Sequence, residues 1–159
     1  MQVRRYKPGE EEELWQLYHD TTHIINGEVY TKDQVERWAP HDKNMDEWRE
    51  RIKKKNPFVA TENGEIVGFA ELEQDGHIDY FYVHHKWQGK GVGSMLYNTV
   101  EEVAISQKMP HLYAEVSLPA KGFFLKQGFE ITEEKNNIIC GAPAPNFMMK
   151  KELSNKLII

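Results

Sequence analysis

The stretch Gln88-Gly89-Lys90-Gly91-Val92-Gly93-Ser94 constrains the fold more than any other part of this 159-residue chain. Before it, His77 to Val83 is rich in aromatic and β-branched residues and reads as a strand. After it, Val92, Met95, Leu96, Val100 and Val103 recur on one face of a long helix. Each glycine in a helix start costs about 1 kcal/mol of helix propensity relative to alanine. The compensating gain is close approach of backbone N–H groups to an anion at the positive end of the helix. A tight turn that holds nothing is the other reading of the glycines alone.

Spacing narrows the anion. A P-loop needs a glycine separated by four residues from Gly-Lys-Ser/Thr, but Gly89-Lys90 is followed by Gly91, and position 84 is His84. The dinucleotide fingerprint needs Gly-x-Gly-x-x-Gly, whereas Gly89, Gly91 and Gly93 run Gly-x-Gly-x-Gly. Both nucleotide motifs are excluded.

The rest of the chain supplies elements on either side. Residues 2 to 6 read as a first strand, stopped by Pro8-Gly9. Acids at Glu10 to Glu13 open a helix whose core stripe is Leu14, Leu17, Tyr18 and Thr21, broken at Asn26-Gly27. Thr31 with Gln34 forms a capping box for a helix to Trp38, and Asn44 with Glu47 repeats the pattern for a helix to about Lys55. Strands are expected over Phe58–Thr61, Ile66–Leu72, His77–Val83, His111–Val116, Phe129–Ile139 and Phe147–Lys151, with a short helix from Pro119 to Gln127. This order predicts a mixed α/β sheet with helices on both faces.

Composition removes several function classes. Twenty basic and twenty-five acidic residues give a net charge of -5, which argues against a nucleic-acid partner. The basic run Arg49, Arg51, Lys53, Lys54 and Lys55 reads as the solvated face and end of a helix. One cysteine, Cys140, permits no internal disulfide. No apolar run approaches the roughly 18 to 20 residues that span a bilayer, and Met1 to Lys7 lacks a signal-peptide core. A cytoplasmic, single-domain protein without a membrane partner is expected over residues 1–159.

The segment Tyr82-Val83-His84-His85-Lys86-Trp87-Gln88-Gly89-Lys90-Gly91-Val92-Gly93 resembles the Gln/Arg-x-x-Gly-x-Gly/Ala motif of the GNAT superfamily of N-acetyltransferases. Ala120-Lys121-Gly122-Phe123-Phe124-Leu125-Lys126-Gln127-Gly128-Phe129 resembles that family's Ala-x-x-Phe-Tyr-x-x-x-Gly-Phe segment, at the usual separation. The resemblance implies one α/β (α+β) domain, with a mostly antiparallel twisted sheet of about seven strands. Residues 1–56 would be the acceptor side and 57–151 the cofactor side. It implies acetyl-CoA as co-substrate, with the backbones of Phe81 and Val83 along the pantetheine arm. Gln88, Gly89, Lys90, Gly91, Val92, Gly93 and Ser94 would hold the pyrophosphate, with Ser117, Phe123 and Phe124 completing the site.

Acetyl transfer to an amine needs a base, an oxyanion donor and an acid. In the histone and serotonin acetyltransferase branches the base lies eleven or nine positions before the Gln/Arg of the turn, which falls here on His77 and Asp79. Strict alternation puts both on the strand face of Phe81 and Val83, and Glu71 is a reserve base. The family's usual acid is a Tyr where this chain has Phe124, so Tyr82, Tyr113 or a water is left for that role. Ser117 also replaces a frequent Asn. On the acceptor side stand His19, His23, Tyr30 and Trp38, with Trp15 and Tyr18 as further aromatics. His19 and His23 lie one helical turn apart, but no third ligand sits at recognisable spacing, so no metal is expected. The expected acceptor is a small-molecule amine and the expected state a monomer or homodimer. A CoA-binding sensor without turnover and a protein N-terminal or lysine acetyltransferase are the alternatives.

Overall fold

Seven strands, five α-helices and three short 3-10 turns make up the computed structural model, which describes residues 1–153; the last six residues of the expected 1–159 domain lie outside the described residues. Strands β1 (Gln2–Arg5), β2 (Phe58–Glu62), β3 (Glu65–Leu72) and β4 (Ile78–Val83) form one antiparallel sheet in that order. Helices α1 (Glu11–Ile24), α2 (Lys32–Trp38) and α3 (Met45–Lys55) intervene between β1 and β2. The Thr31–Gln34 capping box forms in full, and the Asn44 side chain accepts from the N–H groups of Asp46 and Glu47. Helix α4 (Val92–Ser106) follows β4, and α5 (Lys121–Lys126) follows β5 (His111–Ser117). Strands β6 (Glu130–Ile139) and β7 (Ala142–Glu152) complete a second antiparallel sheet of order β5-β7-β6.

The closing strand begins at Ala142, five residues earlier than its composition suggests. Pro143 and Pro145 read as breakers, yet residues 142–145 pair only with β6, so they form a local edge. That edge is covered by α2 and the turn before it. Gln34 Nε2 donates to the carbonyls of Ile139 and Ala142, both at 2.9 Å, and the Tyr30 hydroxyl donates to Pro145 O at 3.0 Å.

The two sheets touch side by side at one end. His77 and Tyr113 form a parallel bridge, and Tyr113 N donates to Gly76 O at 3.0 Å. A Cβ on Gly76 would lie 2.2 Å from the His111 carbonyl oxygen, so only glycine lets the strands meet there. Beyond this point no ladder joins β4 to β5, and a gap opens between them.

Apolar side chains fill both faces. Phe58, Val67, Leu96, Val100, Leu112 and Phe147 pack between the strands and α4. Leu14, Tyr18, Trp48, Ile52 and Phe69 pack between β3 and the helices α1 and α3. Each such side chain contributes about 1.5–3 kcal/mol through burial. No helix among the described residues is long and apolar enough to cross a membrane.

Candidate active site

The gap between β4 and β5 forms a cavity of about 290 Å³ that ends on the glycine turn. His84 N donates to Val67 O, so strand alternation turns the backbone groups of Val83 and Phe81 away from β3 and toward the gap. Val83 O accepts from the Thr21 hydroxyl at 3.1 Å and from the Gln88 amide at 2.8 Å. Gly91, the N-cap of α4, has φ +85°, a conformation unfavourable for a residue with a side chain. The first-turn N–H groups of α4 have no helical carbonyl to meet and carry the positive end of the dipole. A Cβ on Gly93 would come 3.1 Å from the Phe123 ring, so the helix start and α5 are in direct contact.

Of the twelve residues expected around a cofactor, eleven line this cavity: Phe81, Val83, Gln88, Gly89, Gly91, Val92, Gly93, Ser94, Ser117, Phe123 and Phe124. Lys90 is apart from them, its ammonium 5.0 Å from the Trp87 ring centroid.

The base candidates are arranged differently from the strict alternation expected of β4. Ala70 pairs with Phe81 and Leu72 with Ile78, so Glu71 alone faces both Asp79 and Tyr80. This is a β-bulge in β4. Its consequence is that Ile78, not Asp79, joins Phe81 and Val83 in the α4-side core. Asp79 turns instead toward α3, where its Oδ2 accepts from Arg51 at 2.9 Å and Lys55 at 3.1 Å. Arg51 and Lys55 thus belong to the site; the basic run is a solvated face only at its other positions. The i,i+4 spacing of Arg51 and Lys55 was the available signal, but it needs a known acidic partner to be read.

His77 lies at the closed end, stacked on Tyr113 with ring centroids 5.0 Å apart, and lines neither cavity. Its Nδ1 is 2.5 Å from Glu73 Oε1, while Glu73 Oε2 accepts from Lys55 at 2.8 Å. Burial would raise the Asp79 carboxyl, but the Arg51 and Lys55 hydrogen bonds outweigh it and hold Asp79 below the usual carboxylate range. Glu71 is wholly buried, and burial pushes it up to about 7 against the pull of Arg51.

A second cavity of about 430 Å³ lies on the α2 side. Tyr30 and Trp38 line it, together with Arg37, Tyr80 and Asn146, which sequence reasoning did not find. Trp15 and Tyr18 pack in the core instead. The two cavities share Trp38, Asp79, Tyr82, Glu115 and Ser117. Among the hydroxyl candidates, Tyr113 donates to the Asp75 carboxylate away from both cavities, whereas Tyr82 stands at their junction. Burial raises the Tyr82 phenol, which keeps it protonated at neutral pH. Phe124 lines the first cavity and packs edge-on against Phe81 and Phe129. His19 and His23 line neither cavity; their rings cluster with His41, a residue whose sequence position gave no hint of it.

Comparison with known proteins places this geometry in context. The family described as acetyltransferase (GNAT) domain matches residues 27–153. The uncharacterised N-acetyltransferase YafP of Escherichia coli (strain K12) is 27% identical over 150 residues, covering 94% of this chain and 95% of the relative. A GCN5-related N-acetyltransferase from Rhodopseudomonas palustris, seen in a crystal structure, superposes with a TM-score of 0.87 at 28% identity, over 96% of this chain and 95% of that one. The PaiA N-acetyltransferase of Thermoplasma acidophilum, crystallised in complex with coenzyme A, shares the fold at 16% identity and a TM-score of 0.75, over 96% and 98% of the two chains.

Proposed function

The chain belongs to the acetyltransferase (GNAT) domain family, and from that premise we propose that it moves the acetyl group of acetyl-CoA directly onto a primary amine of a small molecule. The observation that carries this reading is the meeting of the two cavities at Asp79, Tyr82 and Ser117. A donor in the β4–β5 gap and an acceptor in the α2-side cavity would face each other there without a covalent enzyme relay. Cys140, exposed in the β6–β7 turn, is absent from both linings.

The residues of the first cavity fit coenzyme A. The gap exposes edge backbone groups, the α4 N-terminus offers N–H donors for a pyrophosphate, and the glycines keep side chains out of the approach. Bound acetyl-CoA supplies an activated acyl group and a thiol leaving group. The second cavity falls in the size range of small-molecule sites, about 300–1,000 Å³. Its aromatic wall and the carboxylates of Asp79 and Glu115 suit a cationic amine.

In the proposed mechanism Asp79, ionised at neutral pH, receives the amine as its ammonium form and passes one of its protons on to solvent water. The second N–H proton, lost as the C–N bond forms, replaces the one that Tyr82 gives the sulfur as the C–S bond breaks. Tyr82 donates from the junction toward the leaving sulfur. His77 is a positioning residue, acting on Asp79 through Glu73 and Lys55.

Calorimetry with CoA and initial rates across an amine panel test the proposal. Wild-type protein is expected to bind CoA and to acetylate at least one small amine. Asp79→Asn is expected to keep CoA binding and lose about 10²-fold or more in kcat. Absence of CoA binding would remove the donor assignment. An unchanged rate in Asp79→Asn would move the base elsewhere.

A further inference from the structure

We propose that His19, His23 and His41 form a transition-metal site of the zinc class, held by α1 on one side and the loop after α2 on the other. The three rings pack together, with centroids 4.2, 4.6 and 4.8 Å apart. One ring nitrogen from each lies within 4.8 Å of the other two. A tetrahedral Zn²⁺ with bonds of about 2.0–2.1 Å needs its ligand atoms about 3.3 Å apart. The remaining closure falls on His41, whose side chain is 69% exposed on its loop.

The surroundings of two rings have the pattern of a ligand's support. His23 Nε2 is 2.7 Å from the Ala39 carbonyl and His41 Nδ1 is hydrogen-bonded to Glu36, while the carboxylate nearest His19 Nδ1, that of Asp20, lies 3.6 Å away, beyond hydrogen-bond reach. Ligating histidines use one ring nitrogen in this way and leave the other for the metal. His19 Nε2 is buried and has no hydrogen-bond partner, which a cation would correct. Glu36 also lies 3.8 Å from His23 Nε2, so two carboxylates, Glu36 and Asp20, offset the charge of a divalent ion.

Among the described residues Glu73, His77 and Asp79 form a second cluster of this kind. There the Lys55 ammonium already bonds Glu73 and Asp79 at 2.8 and 3.1 Å, so a cation is in place. Among the described residues, the ion pairs of Asp20 and Glu36 in the histidine cluster are with histidines and not with a lysine or arginine. An ion bound there would tie α1 to the segment that follows Trp38, and Trp38 lines both cavities.

The test uses untagged, chelator-treated protein titrated with ZnCl₂ in a calorimeter, with Co²⁺ absorption as a probe of four-coordinate geometry. One equivalent of Zn²⁺ is expected to bind and Tm is expected to rise with free Zn²⁺. Glu36→Ala is expected to weaken binding about 10- to 100-fold, as loss of a supporting carboxylate does. His41→Ala, at an exposed position, is expected to abolish stoichiometric uptake. No uptake by the wild type, or uptake lost in His77→Ala and retained in His41→Ala, overturns the proposal.

Discussion

Glu71 and Asp79 are held on the same nitrogen of Arg51, at 2.7 and 2.9 Å, although Glu71 is wholly buried and Asp79 opens into both cavities. The bulge in β4 makes this possible, because it sets Asp79 and Tyr80 together opposite Glu71. Tyr80 also lies under the guanidinium, 4.0 Å from it, and its backbone N–H approaches Glu71 Oε1 at 3.4 Å. The buried carboxylate and the carboxylate that opens into the cavities therefore answer to one cation.

Removing that cation leaves two carboxylates short of a partner, one of them without water. Arg51→Met is expected to cost about 3 kcal/mol in a urea melt, the scale on which breaking a buried ion pair destabilises. Lys53→Met, on the exposed face of α3, is expected to stay within about 0.5 kcal/mol. Equal midpoints for the two variants would mean that Arg51 is as solvated as its neighbour.

Glu71 carries a pH signature of its own. Its folded pKa, about 7, is raised above the ordinary carboxylate value by burial. The native state therefore keeps a proton that the unfolded state releases, and the contribution of Glu71 is fully present below about pH 4.5 and lost as pH rises to about 7. Glu71→Gln removes this loss. The stability of the variant relative to wild type is expected to climb by about 3 kcal/mol from pH 4.5 to 7.5, then level off. A flat difference across that window would show an ordinary carboxyl.

The sequence was most informative where a local rule has one physical cause. The glycine turn and both helix caps depend on neighbours within a few residues, and they were legible. Alternation failed at Asp79 because a bulge is a property of the pairing between β3 and β4, set by Glu71 as much as by β4 itself. The early start of β7 was hidden by Pro143 and Pro145, which are breakers only when both strand edges are paired. Arg51 and Lys55 looked solvated because their acidic partners are 18 to 28 residues away. His41 joins His19 and His23 through the fold of α2 against α1, a contact no spacing encodes.

Gly91 connects backbone conformation to the cofactor binding proposed for this turn. With φ +85°, alanine there is strained by about 1–2 kcal/mol. Relief of that strain would rotate the N–H groups that open α4. Gly91→Ala is expected to weaken CoA binding about tenfold, a change of about 1.4 kcal/mol. Gly27→Ala, in open space at an ordinary φ, is expected to bind CoA as wild type does. Calorimetry on the two variants decides whether the turn conformation matters to the ligand.

Tyr82 and Phe124 give the most direct test of the acid. Phe124 stands where the motif it resembles has a tyrosine, and it lines the first cavity without a hydroxyl. Tyr82 lines both cavities where they meet, and burial keeps its phenol protonated. Tyr82→Phe is expected to lower kcat about 10²-fold while leaving the Kd for CoA unchanged. Adding Phe124→Tyr to that variant would put a hydroxyl on another residue of the first cavity, and kcat is expected to recover at least in part. Recovery with an altered pH profile would identify proton donation as the missing function. A Tyr82→Phe enzyme with wild-type kcat would instead leave the thiol to be protonated by water.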